Sequence, residues 1–400
     1  MDYKADFPIF QVHPDLVYLD NAATTHKPKT VVDAIQHFYT QENATINRGL
    51  YPLGAHASRK YQAVRKQVAE FLNAASAQEI VFTSGTTDSI NLVAQSFVLP
   101  KLNAGDEVLV TAMEHHANLI PWQQACQQSG AKLKIAPILD DGTLDLAAFE
   151  ALLSPNTRFI SVVHISNTLG TINPIEKVIK LAKSQKHPIP ILIDAAQSAA
   201  HYDLNVQQLD CDFLVFSGHK VYGPTGVGVL YAKTEHLETM QPIRFGGDII
   251  ERVTYEQATF AKAPGRFEAG TPNVAGIIGL GVALDYIKSL DQKVVHMHLN
   301  NLKDLATQAL QTIDDIVLVG TAKNKSAILS FNLRDVHPHD VASFLGAENI
   351  AIRAGHHCTQ PLMDAWGFPG TVRASFAVYN TEKDINKLVE TLVEVQAFFK

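Results

Sequence analysis

The sequence predicts an α/β protein: a large unit built on a mostly parallel sheet, followed by a smaller α+β unit. Three observations carry this. The short strand-like runs between residues 79 and 233 are almost wholly apolar, as strands covered on both faces must be. Helix-period stretches separate them, the alternation that builds a parallel sheet. Beyond about residue 290 the order changes to helices followed by strands.

The elements follow in chain order. EIVFT (79–83) leads into the helical TTDSINLVAQSFV (86–98), and DEVLVTA (106–112) into HANLIPWQQACQQ (116–128). RFISVVHIS (158–166) precedes PIEKVIKLAKSQ (174–185), a helix with proline in its first turn. IPILID (189–194), DFLVFSG (212–218) and VGVLYAK (227–233) complete the large sheet. Two helices, VAGIIGLGVALDYIKSL (274–290) and MHLNNLKDLATQALQTI (297–313), then pass to strands at 327–333, 350–354 and 371–379 and a closing helix from Glu382. The expected division is a large domain over 20–290 and a small one made of 1–19 and 291–400.

Composition narrows the function. A hydrophobic content of 46% over 400 residues is enough for a sizeable core, and a formal charge of −7 argues against nucleic acid or an anionic membrane as partner. No run approaches the roughly 20 apolar residues of a membrane span. The opening MDYKADFPIF lacks a secretion-signal pattern. Three cysteines at wide spacings suit neither a disulfide framework nor a zinc finger, so a reducing cytoplasm is the expected location.

The chemistry gathers around one lysine. Lys220 lies in FSGHKVYGPTGVGVLY (216–231), an apolar, glycine-rich stretch, and a buried ammonium without a partner is costly. Ligands of open α/β sheets bind beyond the C-terminal strand ends. Asp194, Ser217 and Asn167 stand at or just past such ends. A plain Asp194–Lys220 ion pair is one reading. The other is pyridoxal phosphate, held by Lys220 as a Schiff base, with Asp194 keeping the pyridine nitrogen protonated. That reading accounts for both awkward charges at once. TSGTTDSINL (83–92) offers Thr86 and Thr87 at a helix start, where amides and hydroxyls can cradle a phosphate, although such turns often only cap helices. Ser217 and His219 would complete that cradle. His115 in MEHHANLIPW could lie on the ring. Arg373, in an apolar strand, could grip a carboxylate with its fork of donors or make a surface ion pair.

Cys126 and Cys211 read as packing residues. Cys358, in IAIRAGHHCTQPLM (350–363), sits in a polar loop beside His356 and His357, where a cationic neighbour would favour its thiolate. A metal site there is disfavoured, because no matching ligand pair occurs elsewhere.

Together these residues resemble the group II cysteine desulfurases, the SufS/CsdA-like branch of the class V aminotransferase family of fold type I pyridoxal-phosphate enzymes. The resemblance runs end to end through YLDNAATTHKP (18–28), NRGLYPLG (47–54), TSGTTDSINLVA, MEHHANLIPW, ISNTLGTINP (165–174), IDAAQS (193–198), FSGHKVYGPTGVGVLY, RFEAGTPN (266–273) and RAGHHCTQPLM. It implies a seven-stranded large-domain sheet, a homodimer, and conversion of L-cysteine to L-alanine with the sulfur left as an enzyme persulfide for iron–sulfur cluster assembly. Selenocysteine lyase activity often accompanies the group. By resemblance, Lys220, Cys358 and His115 are catalytic. Thr86, Thr87, His115, Asp194, Gln197, Ser217, His219 and Lys220 hold the cofactor. Thr271 reaches the neighbouring subunit's cofactor, and Asn167 and Arg373 bind the substrate carboxylate. No metal is implied. A small acceptor of the SufU or SufE type would take the sulfur, with His337 and His339 possible contacts. Tyr51, where relatives often carry histidine, and FGGDIIERV (245–253) depart from the pattern and put substrate preference in doubt. A transaminase or a kynureninase-like lyase is the alternative; neither needs Cys358.

Overall fold

The computed structural model describes residues 3–400. Strand β1 (Val17–Tyr18) is followed by β2 (Ile80–Thr83), β3 (Glu107–Thr111), β4 (Lys132–Ala136), β5 (Thr157–Val163), β6 (Ile191–Asp194), β7 (Phe213–Ser217) and β8 (Gly228–Ala232). The last seven form one sheet in the order β2-β8-β7-β6-β5-β3-β4. From β7 to β4 all pairings are parallel, while β8 runs antiparallel to both of its neighbours. The expected mostly parallel α/β sheet is therefore present. Its central strands are buried at every position, which is why they carry almost no polar residue.

Strand β4 is an edge that no apolar run announced. Lys132 is exposed and Lys134 half-buried, so one side of the strand faces water. A hairpin of β9 (Ile250–Val253) and β10 (Ala258–Phe260) stands apart, with Tyr255 fully exposed at its turn. The second sheet, in the order β11-β12-β15-β14, is antiparallel throughout and comprises β11 (Ile316–Val319), β12 (Ile328–Leu333), β14 (Arg353–Gly355) and β15 (Thr371–Ser375). Between β12 and β14, β13 (Ile350–Ala351) pairs in parallel with β1, so the N-terminal segment is tied to the C-terminal part of the chain. Asp20 continues this tie through a bridge to Ser375.

Helix Val274–Ser289 is buried along most of its length and packs on helices Lys29–His37 and Pro52–Phe71. Among the described residues, no helix is long and apolar enough to cross a membrane.

Candidate active site

The C-terminal ends of β3, β5, β6 and β7 open onto a pocket of about 260 Å³. Lys220, Asp194, Gln197, His115, Thr86, Thr87, Ser217, His219, Asn167, Arg373 and Cys358 all line it, and the sequence singled out each of them. Thr271 does not. It lines a separate cleft with Ser84, Asp88 and Arg244.

Lys220 ends a 3-10 turn, Gly218–Lys220, that leaves β7. The turn is held by the His219 carbonyl, which accepts from the Thr25 amide (3.0 Å) and from Thr25 Oγ1 (3.1 Å), Thr24 Oγ1 (3.2 Å) and Lys27 Nζ (3.3 Å). Gly223 is needed where it stands: a Cβ there would lie 2.9 Å from the Gly218 carbonyl oxygen. Burial pushes the Lys220 amine down to about 8, against the pull of Asp194, with Arg373 and Arg353 lowering it further.

Asp194, at the end of β6, accepts one hydrogen bond from the Ala196 amide, 2.9 Å away. Burial raises its pKa, and that single amide and the Lys220 charge oppose the rise. A buried carboxylate with one backbone donor is short of partners. A pyridinium N–H is the missing cation, and this shortage is the structural reason pyridoxal phosphate fits the pocket.

The opposite end is built for an anion. Helix Thr86–Val93 begins here, and Ser217 Oγ lies 2.8 Å from both the Thr86 amide and Thr86 Oγ1. Gly228 lets β8 run beneath this turn, since a Cβ on it would fall 2.4 Å from Gly85 Cα. Helix-start amides, the Thr86 and Ser217 hydroxyls and His219 thus line the pocket together, groups of the kind that cradle a phosphate. Burial, with Lys220 and Lys27 nearby, holds His219 down to about 4, so it enters the cradle as a neutral imidazole.

His115 Nδ1 accepts from the Ala117 amide at 3.0 Å, which leaves the proton on Nε2. Burial and the Lys220 charge lower its pKa to about 3. Gln197 donates to the Ala22 carbonyl at 2.7 Å, keeping its amide oxygen free.

Arg373 is 2% exposed, which removes the surface-pair reading. It donates to the Asn167 carbonyl at 2.9 Å and to Asp20 at 3.0 Å, and its Nε is buried without a partner. Asn167 Nδ2 donates to the His357 carbonyl at 2.7 Å, and its Oδ1 also lacks a partner.

Cys358 is the exposed cysteine, whereas Cys126 and Cys211 are buried. Its carbonyl accepts from the His116 amide at 2.7 Å. His357 and Cys358 both have left-handed backbone, with φ of 51° and 58°. The expectation of a cationic histidine beside the thiol fails for His357. That ring is buried against Thr371, 2.9 Å away, and burial with Arg373 nearby holds it down to about 3, hence neutral. The cationic side chains that line the pocket with the thiol are Lys220, Arg353 and Arg373. Arg353 and Asp20 belong to motifs noted in the sequence but were not singled out; an acid closing β1 and an arginine opening β14 were the available signals. Among the described residues there is no group of three or more His, Cys, Asp or Glu side chains placed to hold a metal.

The profile of the aminotransferase class-V family matches residues 17–388. A protein of Vibrio cholerae described as a probable cysteine desulfurase is 47% identical over 97% of this chain and 96% of its own length. The crystal structure of the cysteine desulfurase CsdA from Escherichia coli superposes with a TM-score of 0.92 at 40% identity, covering 99% of this chain and 98% of that one. A cysteine desulfurase from Thermococcus onnurineus gives 0.93 at 38% identity, over 98% of this chain and 96% of its own.

Proposed function

The chain belongs to the class-V aminotransferase family, and from that premise we infer that it is a pyridoxal-phosphate-dependent cysteine desulfurase. It converts L-cysteine to L-alanine and keeps the sulfur on Cys358. One observation carries this beyond the family: the Cys358 thiol opens into the same pocket as Lys220, Asp194 and Arg373. A transaminase or kynureninase-like lyase needs no thiol there.

The residues that would hold the cofactor are Asp194 at the ring nitrogen, His115 on the ring face and Gln197 at the ring oxygen. Thr86, Thr87, Ser217 and His219 would take the phosphate, and Thr271 would reach it from a second copy of the chain. When bound, pyridoxal phosphate supplies an aldehyde for Lys220 and a protonated ring that draws electrons from the substrate α-carbon.

The chain's own residues do the rest. The spare donors of Arg373 take the substrate carboxylate, and Asn167 adds a donor to it when one Nδ2 hydrogen leaves the Thr168 hydroxyl, 3.3 Å away. Lys220, its amine kept partly neutral by burial, removes the α-proton and later returns one. The Cys358 thiolate attacks the substrate sulfur. An S–S bond forms as the Cβ–S bond breaks, and the released electron pair stays on Cβ, which takes up a proton to become the alanine methyl. The His116 and Asn167 contacts to the loop backbone aim the thiol, which is a positioning task.

We assign the domains as 20–290 and 1–19 with 291–400. The working form is a cytoplasmic homodimer that supplies iron–sulfur cluster assembly through a small acceptor protein of the SufU or SufE type; L-selenocysteine is a second substrate. His339 supports that docking, because a Cβ on Gly355, three residues before the thiol, would lie 3.5 Å from its Nε2. His337 instead accepts from the His339 amide and caps helix Pro338–Ala347. Tyr51 is 48% exposed and does not line the pocket. His339→Ala should weaken acceptor-stimulated turnover and spare basal turnover. The deciding test is L-cysteine with pyridoxal-phosphate-loaded protein: alanine and reductant-released sulfide form in equal amounts, and Cys358→Ala abolishes both while the cofactor stays bound. Sulfide release that survives Cys358→Ala would return the lyase reading.

A further inference from the structure

Lys220 lines more than the substrate pocket. On its other side lies a second chamber of about 50 Å³, which shares Lys220, Gln197 and Ala22 with the first. His201, Tyr202 and His296 form its far wall. The same three residues line an outer cleft of about 420 Å³ between helix Pro52–Phe71 and helix Val274–Ser289. Chamber and cleft thus meet at these three side chains, none of which lines the pocket that holds Cys358.

Its lining is polar and underused. His201 Nδ1, His296 Nε2 and Ser326 Oγ are each buried without a hydrogen-bond partner. Buried polar atoms in native proteins are nearly always satisfied, by ordered water where no side chain reaches. The chamber has room for about three waters at roughly 15 Å³ each. Tyr202 and His296 lie with ring centroids 5.1 Å apart where chamber and cleft meet.

We propose that this chamber holds a short file of ordered water linking the Lys220 amine to the outer cleft, with His201 and His296 as its positioning residues. The proposal rests on the desulfurase reading, in which Lys220 takes the substrate α-proton. During turnover the front pocket is filled by substrate, so the rear file is where the ammonium meets solvent. An N–H bond of Lys220 breaks as a water O–H forms, one hydron leaves for the cleft, and another returns by the reverse steps. No net charge moves and no co-reactant is needed. Burial and the neighbouring His296 hold His201 down to about 4, so it serves as a neutral donor–acceptor that orients water.

The test uses holoenzyme, ordinary water and L-cysteine deuterated at Cα, with the deuterium in product alanine read by mass spectrometry. The unaltered enzyme should wash the label out. His201→Phe and His296→Leu, which fill the chamber, should raise retention about 5-fold or more, whereas His296→Gln should restore washout. Should these variants fail to fold, Ser326→Val narrows the chamber from the opposite wall and gives the same readout. Independently of the cofactor, a crystal structure of the purified protein should show ordered water bridging His201 Nδ1 and Ser326 Oγ. Unchanged retention in folded, filled variants overturns the proposal. High retention in the unaltered enzyme does so too, as does a chamber without ordered water. If cysteine gives no alanine at all, the desulfurase reading itself has failed.

Discussion

Arg373 and Asp20 stand 3.0 Å apart across 353 residues of chain, and this contact spends one arm of the guanidinium on anchorage. The Asn167 carbonyl takes another, and Nε is left buried and unpaired. A side chain gripped from behind presents its remaining donors in a fixed plane, the geometry that recognises a carboxylate. Arg373→Lys keeps the charge and loses the fork. We expect KM for cysteine to rise about 10- to 100-fold with a smaller change in kcat. A fall confined to kcat would remove Arg373 from substrate binding.

The Lys220 amine should titrate near 8 in cofactor-free protein, far below an ordinary lysine. Burial disfavours the ammonium, so the neutral fraction grows as pH rises, reaching about half at the midpoint and roughly a tenth one unit below it. Competitive acylation followed by mass spectrometry reads this directly. Asp194→Asn should move the midpoint lower still, because the Asp194 charge favours the protonated amine. A midpoint at the usual lysine value would mean that burial does not disfavour the ammonium.

Protein loaded with pyridoxal phosphate should be yellow, and borohydride should bleach it and fix the cofactor to the peptide carrying Lys220. Lys220→Ala should lose both properties and at least about a thousandfold in turnover. A yellow Lys220→Ala protein that still fixes cofactor would place the covalent linkage elsewhere.

Gly228→Ala tests the anion cradle. The added methyl would meet Gly85 backbone on β2's exit turn at 2.4 Å, and backbone cannot swing aside as a side chain can. Destabilisation of about 1–3 kcal/mol is expected, together with faster loss of cofactor on dialysis. Gly246→Ala, where a Cβ would meet nothing, is the control. Thermal denaturation and cofactor retention of the two variants separate the effects.

Much of this site was legible because it lies at the ends of apolar strands. Asp194, Ser217 and Asn167 each follow a run of buried residues, so their polarity stands out against it. Less could be read where meaning depends on a distant partner. Asp20 becomes an anchor only once β15 brings Arg373 to it. His357, drawn beside Cys358 as a charge, is instead turned inward onto Thr371, and no local pattern distinguishes the two adjacent imidazoles. Strand β4 and helices Lys29–His37 and Pro52–Phe71 went unread for a related reason: their half-wet faces dilute the apolar signal that marks the centre of the sheet.

The parallel pairing of β1 with β13, continued from Asp20 to Ser375, has a consequence for how the molecule is made. A ribosome delivers residue 20 long before residue 373, 353 positions later. Every strand of the large sheet emerges in the meantime, while the Asp20 anchor stands without its arginine. This contact closes only after the large sheet has been synthesised, and a chain stopped short of residue 373 keeps Lys220 but lacks the guanidinium that Asp20 holds.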